Sequence, residues 1–181
     1  MEPLADGEVR IYTLDGGRDI ERPLRPRILA ASLGIDVSAL EIVTGPQGKP
    51  LLMNDPTLYF SVSHSDAVSM IALTRVAPVG VDVERIRSVP AAERILMRFF
   101  PSEDVAAIWS SGDRESRFVR AWTRAEAIVK VRGASMWEAA TPDPSVTVKE
   151  VVAPDGYAAS VAVRSAEWYV RQVQYDLAML V

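Results

Sequence analysis

Residues 78–84 read Pro78-Val79-Gly80-Val81-Asp82-Val83-Glu84. Apolar and acidic residues alternate with period two, so a β-strand here puts Val81 and Val83 on one face and Asp82 and Glu84 on the other. Two neighbouring carboxylates are hard oxygen ligands that suit Mg²⁺, an ion that usually takes only one or two protein carboxylates and leaves room for water and phosphate. The same alternation also describes an ordinary antiparallel strand with one wet face. The stretch alone leaves both readings open, and the rest of the chain bears on the choice.

The chain has 181 residues, enough for one domain or two small halves sharing a core, and a chain of that size buries about 70% of its unfolded surface. It has no cysteine, which excludes disulfides and thiolate metal sites and fits a reducing compartment. The start, Met1-Glu2-Pro3-Leu4-Ala5-Asp6, lacks an apolar run, and no stretch is long enough to span a bilayer. A soluble, cytoplasmic protein without a membrane partner is expected. A net charge of -4 argues against a general nucleic-acid binder. Lysine is scarce: Lys49, Lys130 and Lys149 are the only three, so a lysine inside a motif stands out.

Read outward from the acidic stretch, Tyr59 to Ser63, Val68 to Thr74 and Val79 to Glu84 form three consecutive strand patterns with short connections, the signature of an antiparallel meander. Upstream, Val9 to Leu14 reads as a strand ended by Asp15-Gly16-Gly17. Pro23 and Pro26 confine the following helix to a start near Pro26, and Gly34 closes it. Leu40 to Thr44 reads as a strand, and Gly45 to Pro50 as a loop. Downstream come helices over Pro90 to Phe100, Ser102 (as cap) to Trp109 and Arg114 to Arg132. The last has Phe118, Trp122, Ala125 and Val129 as its apolar stripe and Gly133 as C-cap. Val146 to Val152, Tyr157 to Val163, Glu167 to Gln174 and Leu177 to Leu180 are strand-like, with Pro154-Asp155-Gly156 as a hairpin turn. Each half runs from helix to meander, which predicts the α+β class with antiparallel sheet.

Trp122, Glu126 and Lys130 stand at i, i+4 and i+8 of the longest helix, placing a carboxylate and an ammonium on one face. Taken alone, that is an ordinary surface ion pair. The lone histidine, His64, ends the strand Phe60-Ser61-Val62-Ser63-His64-Ser65, and Lys49 sits in a Gly-Lys-Pro loop. In order, the chain holds Gly48-Lys49-Pro50, Ser63-His64-Ser65, Gly80-Val81-Asp82-Val83-Glu84 and Trp122 to Lys130, the last as Trp-x-x-x-Glu-Ala-x-x-Lys. This set resembles the 4'-phosphopantetheinyl transferases, in particular the monomeric, two-lobed type that serves polyketide and nonribosomal peptide synthetases. The resemblance runs from about Ile35 to the C-terminus and includes Arg98-Phe99-Phe100-Pro101-Ser102-Glu103.

The resemblance implies a fold of two pseudo-symmetric lobes, 1–88 and 89–181, each a helix plus an antiparallel sheet, forming one unit that works as a monomer. It implies that coenzyme A is the substrate, that Mg²⁺ is held by Asp82, Glu84 and Glu126, and that a serine of an apo acyl or peptidyl carrier protein attacks the pyrophosphate, releasing 3',5'-ADP. Glu126, or a water on the metal, would be the base. Lys130 would stabilise charge on the pyrophosphate, and His64 would bond a cofactor phosphate beside Ser63 and Ser65. Lys49, followed by Pro50, would meet the 3'-phosphate. The chain departs from the family pattern at Ala125, where the family has lysine, at Ser61, where it prefers asparagine, and at Ser135, where it has glycine. The segment after the opening strand is short, and Arg18, Arg22, Arg25 and Arg27 are the charges available there. A non-catalytic or weakly active member that still binds coenzyme A or a carrier protein is the alternative; an unrelated Mg²⁺ enzyme on a phosphorylated metabolite is a third reading.

Overall fold

Two sheets packed face to face carry the structure, a computed structural model that describes residues 2–45, 49–133 and 143–174. Strand β1 (Glu8–Asp15) leads into helix α1 (Gly17–Leu33), a 3-10 turn at Val37–Ala39 and a small hairpin of β2 (Ile42–Thr44) and β3 (Pro50–Leu52). Then come β4 (Tyr59–Ser65), β5 (Val68–Thr74) and β6 (Val79–Arg85), followed by helices α2 (Ala92–Phe99), α3 (Ser102–Trp109) and α4 (Arg114–Arg132). Strands β7 (Thr147–Val151), β8 (Tyr157–Val163) and β9 (Tyr169–Gln174) complete the described chain. The strand expected at Leu177 to Leu180 and the departure at Ser135 lie outside the described residues. Among the described residues no helix is long and apolar enough to cross a membrane.

The strand orders are β4-β5-β1-β9 in the first sheet and β6-β8-β7 in the second. Pairings are antiparallel except β1 with β9, so the α+β class with antiparallel sheet holds. One pattern occurs twice. In each sheet a hairpin, β4–β5 or β7–β8, lays its second strand against the strand that precedes the helices, β1 or β6.

That pattern corrects the expected three-strand meander. β5 is already paired on both sides, by β4 and by β1, so no edge is left for β6. β6 pairs instead with β8 of the second sheet, from Val79↔Val163 to Arg85↔Tyr157. Its valines Val79, Val81 and Val83 join Val161 and Val163 against Val9, Ile11, Val68, Met70 and Ala72, forming the core between the sheets. Each such side chain, once fully buried, contributes about 1.5–3 kcal/mol. On the outer faces, Leu24, Ile28 and Leu29 of α1 cover Tyr12, Leu14, Ile71 and Leu73, while Ala127 and Val131 of α4 cover Ala162.

Helix α1 begins nine residues before Pro26, at Gly17, and runs through Pro23 and Pro26. Each proline removes one i→i−4 bond and costs about 3 kcal/mol inside an isolated helix. Burial of Leu24, Ile28 and Leu29 offsets that cost, and the helix start is pinned because the N–H groups of Gly16 and Gly17 both donate to the carbonyl of Ala67 in the β4–β5 turn. The remaining local corrections are smaller. Pro50, read as the end of a loop, begins β3, which pairs with β2. Ser102 is the first helical residue of α3 and makes no cap bond to the backbone. Of the expected stripe on α4, Phe118 and Val129 are buried while Trp122 and Ala125 are only half-buried; Val119, Thr123, Ala127 and Val131 are buried as well, on the side by which the helix lies on β6 and β8.

Gly80 determines how closely α4 lies on β6. A Cβ built there would stand 2.1 Å from the carbonyl oxygen of Ala127 and 2.9 Å from both the Lys130 Cβ and the Val131 nitrogen. Backbone atoms on both sides leave little room to yield. Gly80→Ala should therefore lower stability by about 1–3 kcal/mol, the usual cost of overpacking, as read by chemical denaturation. An unchanged denaturation midpoint would mean that α4 can be lifted off β6 freely.

Candidate functional site

The site forms where the edge strand of the first sheet, β4, meets the edge strand of the second, β6. Alternation along β4 sends Ser61, Ser63 and Ser65 to the buried inner side, and Phe60, Val62 and His64 to the side facing α1. The inner serines stitch the two edges together. Val81 N–H donates to Ser61 Oγ at 3.1 Å, Ser63 Oγ donates to Asp82 Oδ1 at 2.8 Å, and Ser65 Oγ donates to Glu84 Oε2 at 2.7 Å. Ser65 Oγ also accepts from Arg85 N–H. Ser63 and Ser65, expected beside a cofactor phosphate, are thus buried against the carboxylates, on the opposite side of the strand from His64.

Asp82 is 3% exposed. Its Oδ1 also accepts from Lys130 Nζ at 2.8 Å, and the same ammonium donates to the carbonyl of Val81 at 2.9 Å. Its Oδ2 is buried and has no hydrogen-bond partner. Burial pushes the Asp82 carboxyl up from its ordinary value, against the pull of Lys130 and Ser63. Burial likewise raises Glu84, with Ser65 opposing and Asp82 adding to the shift. It raises Glu126 as well, with Asp82 and Glu84 reinforcing and Lys130 opposing. The structure thus brings Asp82, Glu84, Glu126 and Lys130 into one neighbourhood: Glu126 feels the charges of Asp82, Lys130 and Glu84, and Glu84 those of Asp82 and Lys130.

Among the described residues no three His, Asp or Glu side chains converge into a ready-made metal cage. Mg²⁺ needs only one or two protein carboxylates. An orphaned buried oxygen on Asp82, together with two further carboxylates whose pKa is raised first by burial and then by the charge of Asp82, is a donor set short of positive charge, and it fits a hard divalent cation.

Beside the acidic edge lies a cavity of about 440 Å³. Among the described residues its walls include Arg18, Arg22 and Arg25 of α1, His64 of β4, Lys130 of α4, and Lys49 with Pro50. Arg18 Nε donates to His64 Nε2 at 2.9 Å, so the proton of the neutral imidazole is on Nδ1. Burial, then the charges of Arg18, Lys130 and Arg22, hold the His64 pKa below its ordinary value, with Asp82 opposing. Lys49 Nζ donates to the carbonyl of Lys130 at 2.5 Å and, more weakly, to that of Val79 at 3.3 Å. Burial, followed by Lys130 and Arg164, lowers its pKa to about 8. One acid, Glu21, is buried in the same wall, 3.1 Å from Arg25 Nε, and burial raises its pKa against the pull of Arg25, Arg18 and Arg22.

Sequence reasoning undervalued the α1 wall. Arg18, Glu21, Arg22 and Arg25 are spaced i, i+3, i+4 and i+7, one face of a helix, but two prolines hid the helix that makes them neighbours. Arg27 is exposed and does not line the cavity. Arg124, one residue before Ala125, faces Glu150 at 4.0 Å, so its charge is directed away from the carboxylates. A second, mostly apolar cavity of about 410 Å³ adjoins the first, sharing Lys49, Pro50, Phe60 and Gly133 and adding Leu51, Met53, Pro56 and Pro78.

Comparison with known proteins gives the same picture. A family model described as the 4'-phosphopantetheinyl transferase superfamily matches residues 78–176. The chain is 36% identical over 135 residues to the 4'-phosphopantetheinyl transferase AcpT of Escherichia coli (strain K12), covering 67% of this chain and 65% of that protein. It is 32% identical over 118 residues to AcpT of Salmonella typhimurium, covering 59% and 56%, and 29% identical over 160 residues to the 4'-phosphopantetheinyl transferase HetI of Nostoc, covering 78% and 68%. The chain thus spans between 56% and 68% of the length of these curated relatives.

The carboxylates supply a test of cation binding. A raised pKa means that, just above the ordinary carboxylate range, the folded chain keeps protons that the unfolded chain has released, so stability falls as pH rises through that window. A divalent cation competes with those protons. Mg²⁺ should raise the thermal midpoint at pH 7.5, by an amount equivalent to about 2.7 kcal/mol at a hundredfold excess over its dissociation constant, and should raise it less at pH 5. The same shift in Asp82→Asn would place the binding elsewhere.

Proposed function

Because the chain belongs to the 4'-phosphopantetheinyl transferase superfamily, we propose that it transfers the phosphopantetheine arm of coenzyme A to a serine hydroxyl of an apo acyl or peptidyl carrier protein. The observation that carries this reading is the meeting of an acidic edge, Asp82 with Glu84 and Glu126, with a cavity walled by Arg18, Arg22, Arg25, His64 and Lys130. A phosphorylated substrate needs cations around its phosphates, and a reacting pyrophosphate needs a base and a charge stabiliser at one end. Both are present within one chain. The repeated strand–helix–hairpin unit supports the monomeric, two-lobed type, and the lack of cysteine fits action in the reducing cytoplasm.

In this reading the serine oxygen forms a bond to the β-phosphorus of coenzyme A, the bond from that phosphorus to the bridging oxygen breaks, and 3',5'-ADP leaves. Glu126 accepts the serine proton, and positioned proton transfer contributes typically about 10²- to 10⁴-fold. Lys130 holds Asp82 in place and keeps a third N–H for a phosphate oxygen. His64 donates from Nδ1 to a phosphate, and Arg18 sets the tautomer that allows it. Mg²⁺, taking one or two of the carboxylates Asp82, Glu84 and Glu126, would supply positive charge for the pyrophosphate. The α1 arginines supply the positive charge that Ala125, in place of a family lysine, does not.

An intact-mass assay with coenzyme A, Mg²⁺ and a panel of apo carrier proteins tests this. The carrier should gain the mass of one phosphopantetheine arm, and the gain should vanish in EDTA. No gain on any carrier, with coenzyme A binding intact by calorimetry, would make the chain a non-catalytic binding module. Glu126→Gln should slow transfer by about 10²- to 10⁴-fold with an unchanged circular-dichroism spectrum. Ala125→Lys should speed it, since one charge-assisted phosphate contact is worth about 1.5–3 kcal/mol.

A further inference from the structure

Two lysines bracket the closest approach of α4 to β6. Lys130 reaches from the helix to the strand, donating to the carbonyl of Val81 and to Asp82 Oδ1. Lys49 bridges the same two elements from outside, donating to the carbonyls of Lys130 and Val79. Between the two strand carbonyls stands Gly80, whose missing side chain allows the helix to lie there. Lys130 belongs to the last turn of α4, where carbonyls have no partner within the helix, and a cation at a helix C-terminus is favoured by the helix dipole. The backbone of Lys49 is held in turn, since Gly45 N–H donates to its carbonyl and closes the β2–β3 hairpin.

We propose that Lys49 is a positioning residue: it ties the C-terminal turn of α4 to the start of β6 and so sets the Lys130 ammonium against Asp82, rather than serving as the ligand of a substrate phosphate. The inference rests on the transferase reading for its kinetic effect. Its geometry does not depend on that reading. Two of the three N–H groups of Lys49 are engaged by backbone carbonyls, whereas the α1 arginines line the same cavity with guanidinium groups suited to phosphate. Displacing the Lys130 carbonyl moves the side chain that the same residue sends to Asp82.

Transfer kinetics with coenzyme A and with 3'-dephospho-coenzyme A distinguish the two roles. Lys49→Met should lower kcat by about ten- to a hundredfold with both substrates and by the same factor, as expected when a reacting group is misplaced. Lys49→Gln, an uncharged donor, should recover part of that loss with both. A rise in KM confined to coenzyme A, absent with the dephospho substrate, would overturn the proposal and make Lys49 a phosphate ligand. An unchanged kcat in Lys49→Met would overturn it as well. Should the wild-type chain transfer nothing, the function proposed above fails while a thermal-stability cycle of Lys49→Met and Lys130→Met still decides this one. Non-additive effects would support the coupling, and additive effects would overturn it.

Discussion

The carboxylate of Asp82 is the point on which the rest of the structure converges. It belongs to β6, it is bonded by Ser63 from β4 and by Lys130 from α4, and it is buried. A buried charge is tolerated only with partners, and breaking a buried pair is far more costly than an exposed one. That requirement couples three elements. The sheets must meet edge to edge for Ser63 to reach the carboxylate, and α4 must lie against Gly80 for Lys130 to do so. The inner valines satisfy the first demand by packing the sheets face to face. A residue without a side chain satisfies the second.

From that point the chemistry grades outward. The edge of β6 is acidic, the neighbouring cavity wall is cationic, and the adjoining cavity through Leu51, Met53 and Pro56 is largely apolar. A molecule with a charged pyrophosphate and less polar parts on either side is matched by such a sequence of surfaces. The acid and the cations hold each other in check. Carboxylates left alone at the edge would take up protons, as their raised pKa values show, and arginines left alone on α1 would repel one another; Glu21, buried among them, lowers that repulsion.

Much of this was legible in the residues. The strand character of Val79 to Glu84, the helix from Arg114 to Arg132 and its glycine cap follow from local periodicity and from one residue's backbone preference, and the structure agrees with them. The ordered motifs assigned Asp82 and Lys130 to one site, but the direct ion pair between them, 48 residues apart in the chain, was not legible. Three further features were not legible. The prolines of α1 suggested a late start, and only burial of Leu24, Ile28 and Leu29 against the sheet makes the longer helix worth forming. The serine alternation in β4 looked like hydroxyls for a ligand, yet those hydroxyls join two strand edges. The contacts of the Lys49 ammonium with the carbonyls of Lys130 and Val79 could not be read from its Gly-Lys-Pro loop either.

The sequence by itself determined which segments are strands and helices, and which residue types carry the chemistry, since period-two and period-3.6 patterns and the four ordered motifs are local properties of the chain. Tertiary structure alone decided which sheet takes β6, which side of β4 faces the carboxylates and what each lysine touches. An edge strand carries unpaired N–H and C=O groups along its whole length and accepts any partner that offers the matching row. Its choice depends on which edges the rest of the fold fills, and here β1 occupies the edge of β5 while β6 pairs with β8.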